Sequence, residues 1–229
     1  MSFKKVNHWI FDLDNTLYPS SSNLFSKIDV RMKQFIIKHL SLKPEAAHKL
    51  QKKYYVKYGT TLNGLMLKHS INPKTFLDYV HDINIENINP DKTLCLALKN
   101  LSGIKYIYTN GSKKHALRVL KKLKIKSHFK NIYDIESANF IPKPDIKAFK
   151  NFIKFYDIPP LKAAFFEDIS RNLINAKKIG LKTILLESKF HPDNKEKFFS
   201  LKENEKKYID HITSNLGRFL NKINLDNNS

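Results

Sequence analysis

The chain has 229 residues, 41% of them apolar, with 41 Lys and Arg against 21 Asp and Glu for a formal net charge of +20. That length supports one large domain or a core with a smaller insert, and no apolar run reaches the length of a membrane span. The charge invites a nucleic-acid reading, but lysine far outnumbers arginine, lies scattered through nearly every predicted element and keeps company with abundant Ile and Asn, the mark of codon drift; no nucleic-acid partner is expected, though such a field can draw in a small anion.

Residues 8–13 read as a first strand, its apolar run typical of a buried parallel strand, and Asp12 and Asp14 follow two residues apart. An open α/β sheet carries its chemistry at the carboxyl ends of its strands, which is where this pair falls. Two anions so close repel unless a cation or a shared proton offsets them. A metal ion between them is the economical reading, and hard oxygen ligands favour Mg²⁺. A polar turn capping the next helix is the plainer alternative and stays open at this point.

Residues 20–88 show helical periodicity with little strand character. Ile28, Met32, Phe35, Ile36 and Leu40 recur at near-helical spacing. Pro44 suits the first turn of a second helix, which runs towards Tyr58 and stops at Gly59. A short third piece opens at Thr60, and a fourth at Pro73 ends near His81. The block reads as an all-helical insert.

Helix and strand alternate from residue 91. A helix is expected over 92–100, where Cys95 lies on an apolar face as a small core residue. With no disulfide possible and no signal-peptide pattern, a cytoplasmic setting is expected. A strand over 104–109 ends in Thr109-Asn110-Gly111-Ser112. There a hydroxyl and free N–H groups can form an anion cradle while Ser112 caps helix 112–123. A short strand at 131–135 precedes Pro142-Lys143-Pro144, which holds a lysine in a rigid extended turn before helix 145–156. Strand 163–167 ends in Glu167-Asp168, a second acidic pair able to complete a metal site begun by Asp12. Helix 170–179, strand 182–186, a last strand at 208–212 and a helix at 214–222 follow. Residues 188–206 read as a loop or short surface helix, and 224–229 as a frayed tail. The alternation implies an α/β fold, a doubly wound parallel sheet with a small helical cap after the first strand.

Taken in order, Asp12-Leu13-Asp14-Asn15-Thr16, Thr109-Asn110-Gly111, Lys143-Pro144 and Glu167-Asp168 resemble the four motifs of the haloacid dehalogenase superfamily over nearly the full chain. Closer likeness points to its pyrimidine 5′-nucleotidase branch, through Asp12 to Pro19, Tyr58-Gly59-Thr60-Thr61-Leu62, Tyr106 to Gly111 and Lys114 to Leu120. That branch usually has arginine where this chain has Asn63.

The resemblance implies a core of residues 1–17 and 89–229 with a cap at 18–88. It implies a Mg²⁺-dependent phosphatase of small phosphate monoesters, most of all a pyrimidine nucleoside 5′-monophosphate. Asp12 would be the nucleophile and Asp14 the acid and base, with a raised pKa and its backbone carbonyl on Mg²⁺. Thr109, Asn110 and Gly111 would hold phosphoryl oxygens, and Lys143 would neutralise charge. Asp168 would bind the metal directly and Glu167 directly or through water. Tyr18 at the hinge and Asn63 in the cap would touch substrate. The expected partner is a small phosphate ester, with no membrane, in a monomer or homodimer.

The same residues leave other readings open. A phosphoglycolate-type or sugar-phosphate phosphatase, or a phosphomutase, fits the motifs too. A hydrolytic dehalogenase needs neither Asp14 nor a metal. A receiver switch would carry its acidic pair first and its Asp on a middle strand, where Thr109 stands. A basic nucleic-acid binder on a decayed phosphatase fold has no use for an intact Asp14.

Overall fold

The computed structural model describes residues 3–187 and 201–228. Six parallel strands form one sheet: β1 (His8–Phe11), β2 (Ile104–Tyr108), β3 (Asn131–Tyr133), β4 (Ala163–Glu167), β5 (Lys182–Leu186) and β6 (His211–Thr213). Their order is β3-β2-β1-β4-β5-β6. The chain winds outward through β2 and β3, returns to the middle, and winds the other way. The direction changes between β1 and β4, and ligands of such sheets bind at the carboxyl ends beside that change.

Side-chain alternation along each strand builds two cores. Trp9, Phe11, Ile107, Ala164, Phe166, Ile184 and Leu186 face one, against α5 (Lys92–Asn100), α6 (Lys113–Lys122) and α9 (Leu216–Asn228). Ile10, Tyr106, Tyr108, Phe165 and Leu185 face the other, against α7 (Ile146–Phe155) and α8 (Ser170–Lys178). Phe11 and Phe166, paired across β1 and β4, stack at 4.7 Å. Burying each such ring stabilises the sheet by about 1.5–3 kcal/mol. Both strands are therefore firmly seated just before their acidic residues begin.

The insert is helical as expected: α1 (Leu24–Leu40), α2 (Pro44–Tyr58), α3 (Thr61–His69) and α4 (Pro73–Val80). It has its own apolar cluster, including Ile28, Phe35, Ile36, Leu65, Phe76 and Val80. Pro44 and Pro73 start α2 and α4; Thr60 and Asn72 accept backbone N–H groups at the starts of α3 and α4. Gly59 closes α2 at φ +84°, where a Cβ would stand 3.2 Å from Pro142 Cγ and 3.4 Å from Lys143 O. The insert thus meets the core at the loop that carries Lys143.

Several boundaries differ from the sequence reading. β1 stops at Phe11, so Asp12 and Asp14 lie in the turn beyond it. β6 pairs with β5 at His211–Thr213, later than 208–212, because Glu203–Tyr208 winds into a 3₁₀ helix. The stretch expected as loop or surface helix lies outside the described residues over 188–200. The closing helix continues through Asn228 where a frayed tail was expected, with Leu216, Phe219, Leu220 and Ile223 buried.

Candidate active site

Four strand-end segments meet at the change of winding. Asp12 follows β1, and its N–H still donates to Phe166 O of β4 at 2.9 Å. Thr109 follows β2, Glu167 ends β4 with Asp168 next, and Lys143 arrives from the loop before α7. Asp12, Thr109, Lys143 and Glu167 are all buried.

Lys143 is the hub. Its Nζ donates to Asp12 Oδ1 at 2.7 Å, Glu167 Oε2 at 2.7 Å and Tyr108 O at 2.9 Å. An ammonium has three protons, so all are engaged. The loop is clamped from outside. Asn110 Nδ2 donates to Lys143 O at 3.1 Å, Asn110 Oδ1 accepts from Lys143 N at 2.9 Å, and Asn175 Nδ2 of α8 donates to Pro144 O at 2.7 Å. Asn110 therefore positions Lys143 through its side chain. Thr109 Oγ1 accepts from Gly111 N at 2.9 Å, which rounds the turn after β2.

One ammonium does not balance the carboxylates around it. Ligand oxygens of Asp12, Glu167 and Asp168 lie within 4.8 Å of one another. Burial first, and then the Glu167 charge, push the Asp12 carboxyl up to about 8 against the pull of Lys143. Burial, Glu167 and Asp12 push Asp168 well above the usual carboxylate range. Burial disfavours the Lys143 ammonium, but Asp12 and Glu167 outweigh it and raise its pKa. Hard oxygen donors carrying excess negative charge suit a divalent cation. Asp12 and Asp168 are less fully engaged than Glu167. Glu167 is already engaged at both oxygens, Oε2 by Lys143 and Oε1 by the N–H groups of Asp168 and Ile169 at 3.2 Å each.

Asp14 turns away from this cluster. Its Oδ1 accepts from Tyr18 Oη at 2.6 Å and pairs with His115 Nε2 at 2.9 Å. A cation between the Asp12 and Asp14 side chains therefore gives way to one among Asp12, Asp168 and Glu167. The expected raised pKa of Asp14 is reversed as well. Burial pushes it up, but His115, its hydrogen bond, the Tyr18 hydroxyl and His81 together bring it below the usual range.

The insert roofs the site and encloses a cavity of about 130 Å³. Asp12, Asp14, Thr109, Lys143 and Asp168 form its floor; Phe25, Ile28, Met32, Phe76 and Val80 line its roof. Two expected substrate contacts are not there. Tyr18 is buried in the sheet-side core with its hydroxyl on Asp14, so it positions that carboxylate. Asn63 sits at the start of α3 with Nδ2 donating to Tyr58 O at 2.9 Å, a local bond that turns it from the cavity.

Three contributors escaped the sequence reading. His115 of α6 is fully buried on Asp14. His81, one residue past α4, lines the cavity. Arg171 of α8 donates to Gly59 O at 3.0 Å and stacks over the Tyr55 ring at 3.8 Å, tying core to insert. The apolar period of α6 could have placed His115 on the inner face; no sequence spacing links it to His81.

Residues 9–186 match the model of the haloacid dehalogenase-like hydrolase family. Phosphate metabolism protein 8 of Saccharomyces cerevisiae is 30% identical over 191 residues, 76% of this chain; the chain spans 59% of that relative's length. Among solved structures, a dehalogenase with an intermediate complex superposes with a TM-score of 0.60 at 15% identity, covering 96% of this chain and 97% of that one. The HAD-hydrolase YfnB of Bacillus subtilis bound to magnesium does so at 0.59 and 12%, covering 96% and 99%. At these identities the structural matches speak for the fold alone.

Proposed function

The chain belongs to the haloacid dehalogenase-like hydrolases, and we propose that within them it is a Mg²⁺-dependent phosphatase of small phosphate monoesters, a pyrimidine nucleoside 5′-monophosphate foremost. One observation carries this reading. Three carboxylates converge on a single, fully engaged ammonium, while a fourth, Asp14, stands apart at the same cavity. Halide displacement has no use for a cation or for Asp14. Transfer of a dianionic phosphoryl group needs both charge neutralisation and a proton donor. The yeast relative named for phosphate metabolism points the same way.

Asp12, Asp168 and the backbone carbonyl of Asp14 would hold the cation, which when bound offsets the charge of the phosphoryl group and its nucleophile. Asp12 attacks phosphorus and forms an aspartyl-phosphate as the ester P–O bond breaks. Lys143 aims Asp12 and pulls it towards its ionised form, against burial and Glu167. Thr109 and the Asn110 N–H receive phosphoryl oxygens. Asp14 rests ionised, the form that later takes a proton from water to free Asp12. A phosphate dianion beside it raises its pKa, so its acid form belongs to the substrate complex. Residues 18–88 act as the cap that excludes water from this step.

In the apolar roof the Phe25 and Phe76 rings offer flat surfaces to a base, and Met32 adds a polarisable thioether. The modest cavity favours a second reading, a phosphoglycolate-type or sugar-phosphate ester. A Mg²⁺-supplemented screen over nucleotides, sugar phosphates and phosphoglycolate decides. Phosphate release that EDTA stops and Mg²⁺ restores supports the proposal; no release from any ester, or full activity in chelator, sinks it.

A further inference from the structure

His81 crosses from the insert into the site. It caps α4, and Arg118 of α6 fixes its backbone by donating to His81 O at 2.7 Å and Ile83 O at 2.8 Å. Its ring lies flat on that of His115, with centroids 4.4 Å apart and planes within 8°. His115 in turn holds Asp14. A methyl group built on Gly111 would stand 3.5 Å from His81 Nε2 and 3.3 Å from Thr109 Oγ1. Nε2 therefore hangs over the turn proposed to cradle phosphate, on the side where Asp14 lies.

The ring's proton can be placed. His81 Nδ1 is 3.0 Å from Ser112 Oγ, and Ser112 Oγ accepts the His115 N–H at 3.3 Å. If Ser112 donates to Nδ1, the hydroxyl proton has an acceptor and the ring proton sits on Nε2, facing the cavity. The other tautomer leaves the hydroxyl proton without one. Nε2 has no partner among the described residues, and the residue lines the cavity.

We infer that His81 is a substrate-contacting donor, its Nε2–H directed at the ester oxygen that leaves with the alcohol. This rests on the phosphatase reading and adds a residue to it. When Asp12 Oδ bonds to phosphorus and the P–O bond breaks, the departing oxygen takes its proton from Asp14. His81 keeps its own proton throughout and stabilises the charge building on that oxygen. Asp14 is restrained as an acid by Tyr18 and His115, so a second donor at that oxygen has a task. A fixed neutral donor aimed at developing charge needs no reorganisation during the step. Burial first, then His115 and Arg118, push His81 down to about 3 against the pull of Asp14 and Asp78, so the ring stays neutral at neutral pH.

The test compares wild type, His81→Phe and His81→Gln in Mg²⁺ on uridine 5′-monophosphate and on p-nitrophenyl phosphate, with thermal melts of all three. Phe keeps the stacked ring and removes the donor; Gln returns an N–H near Nε2. Nitrophenolate leaves without help, whereas a ribose oxygen does not. His81→Phe is expected to lower kcat on the nucleotide on the order of 10²-fold with KM little changed. Its loss on the aryl ester should be far smaller, and His81→Gln should recover most of the nucleotide rate. Equal losses on both esters, or no loss on either, overturn the inference and leave the phosphatase reading standing. If wild type turns over neither ester, the nucleotide reading falls and takes this one with it. Should His81→Phe fail to fold, His81→Gln carries the test: retained nucleotide activity supports the donor, and an equal loss on both esters removes it.

Discussion

Lys143→Met tests the charge balance on which the site depends. Methionine keeps much of the stem's volume and removes the ammonium. The three bonds from Nζ, to Asp12, Glu167 and Tyr108 O, vanish together, and so does its place 5.2 Å over the Tyr108 and Phe165 rings. Lys143 and Glu167 are each only 1% exposed, so water cannot replace the lost cation. Breaking a buried pair in this way costs on the order of 3–5 kcal/mol, because the partners stay charged and unpaired. At about 2–4 °C per kcal/mol for a chain of this length, the melting temperature should fall by roughly 10 °C in chelator. Adding Glu167→Gln removes one stranded charge, so the double variant should melt above Lys143→Met alone. Mg²⁺ should raise the melting temperature of Lys143→Met more than that of wild type, since its acidic cluster lacks all other compensation. The assay is calorimetry of the three proteins with EDTA and with Mg²⁺. A Lys143→Met protein as stable as wild type, or a double variant that melts lower still, would refute the assignment of Lys143 as the counter-charge.

Asp12→Asn should abolish phosphate release with the fold retained, and substantial residual turnover would move the nucleophile elsewhere. Tyr18→Phe removes the 2.6 Å bond to Asp14 and should lower kcat on the order of tenfold with KM held; a change confined to KM would return Tyr18 to substrate contact. Asn63→Arg should leave the ranking of substrates unchanged, because Asn63 faces Tyr58 O and lies off the cavity; a reordered ranking in the same ester screen would restore it as a cap contact. His81, held down at about 3 from 6.5, refuses a proton that the unfolded chain accepts, so its contribution is present above pH 6.5 and is lost as pH falls towards 3. That amounts to about 2 kcal/mol between pH 8 and pH 5, and urea melts at both should show a smaller loss for His81→Phe; equal losses would refute it.

The sheet and its site were legible because both rest on local patterns. Buried parallel strands show as apolar runs such as Trp9-Ile10-Phe11 and Ala163 to Phe166, and polar residues that interrupt a run mark its end. Asp12, Thr109 and Glu167 stand at such ends, and their chain order carried the resemblance. Side-chain direction was not legible. Asp14 shares a turn with Asp12, yet faces the other way once Tyr18 and His115 take its oxygen. Asn63 looked like a cap contact by its place after Thr61-Leu62, but a residue near a helix start can bond back on itself, and it does. The His81–His115 stack joins an insert to a core helix, and no period in a single chain predicts which residues two elements will bring together.

The net charge and the site pull in opposite directions, and that opposition has a use. Asp12, Glu167 and Asp168 crowd one ammonium and Asp14 stands beside them, so the floor of the cavity is the acidic point of a chain carrying +20. On the proposed reading, a basic field at long range would draw a phosphate dianion towards the protein. At contact, four carboxylates would repel it. The two effects are compatible only if something positive enters the floor with, or before, the substrate. Lys143 cannot be that charge, since its three protons are engaged in the resting site. A mobile cation among Asp12, Asp168 and their neighbours can. The fold is common to both chemistries, and on the proposed reading the surplus carboxylates are what favour phosphoryl transfer over halide displacement.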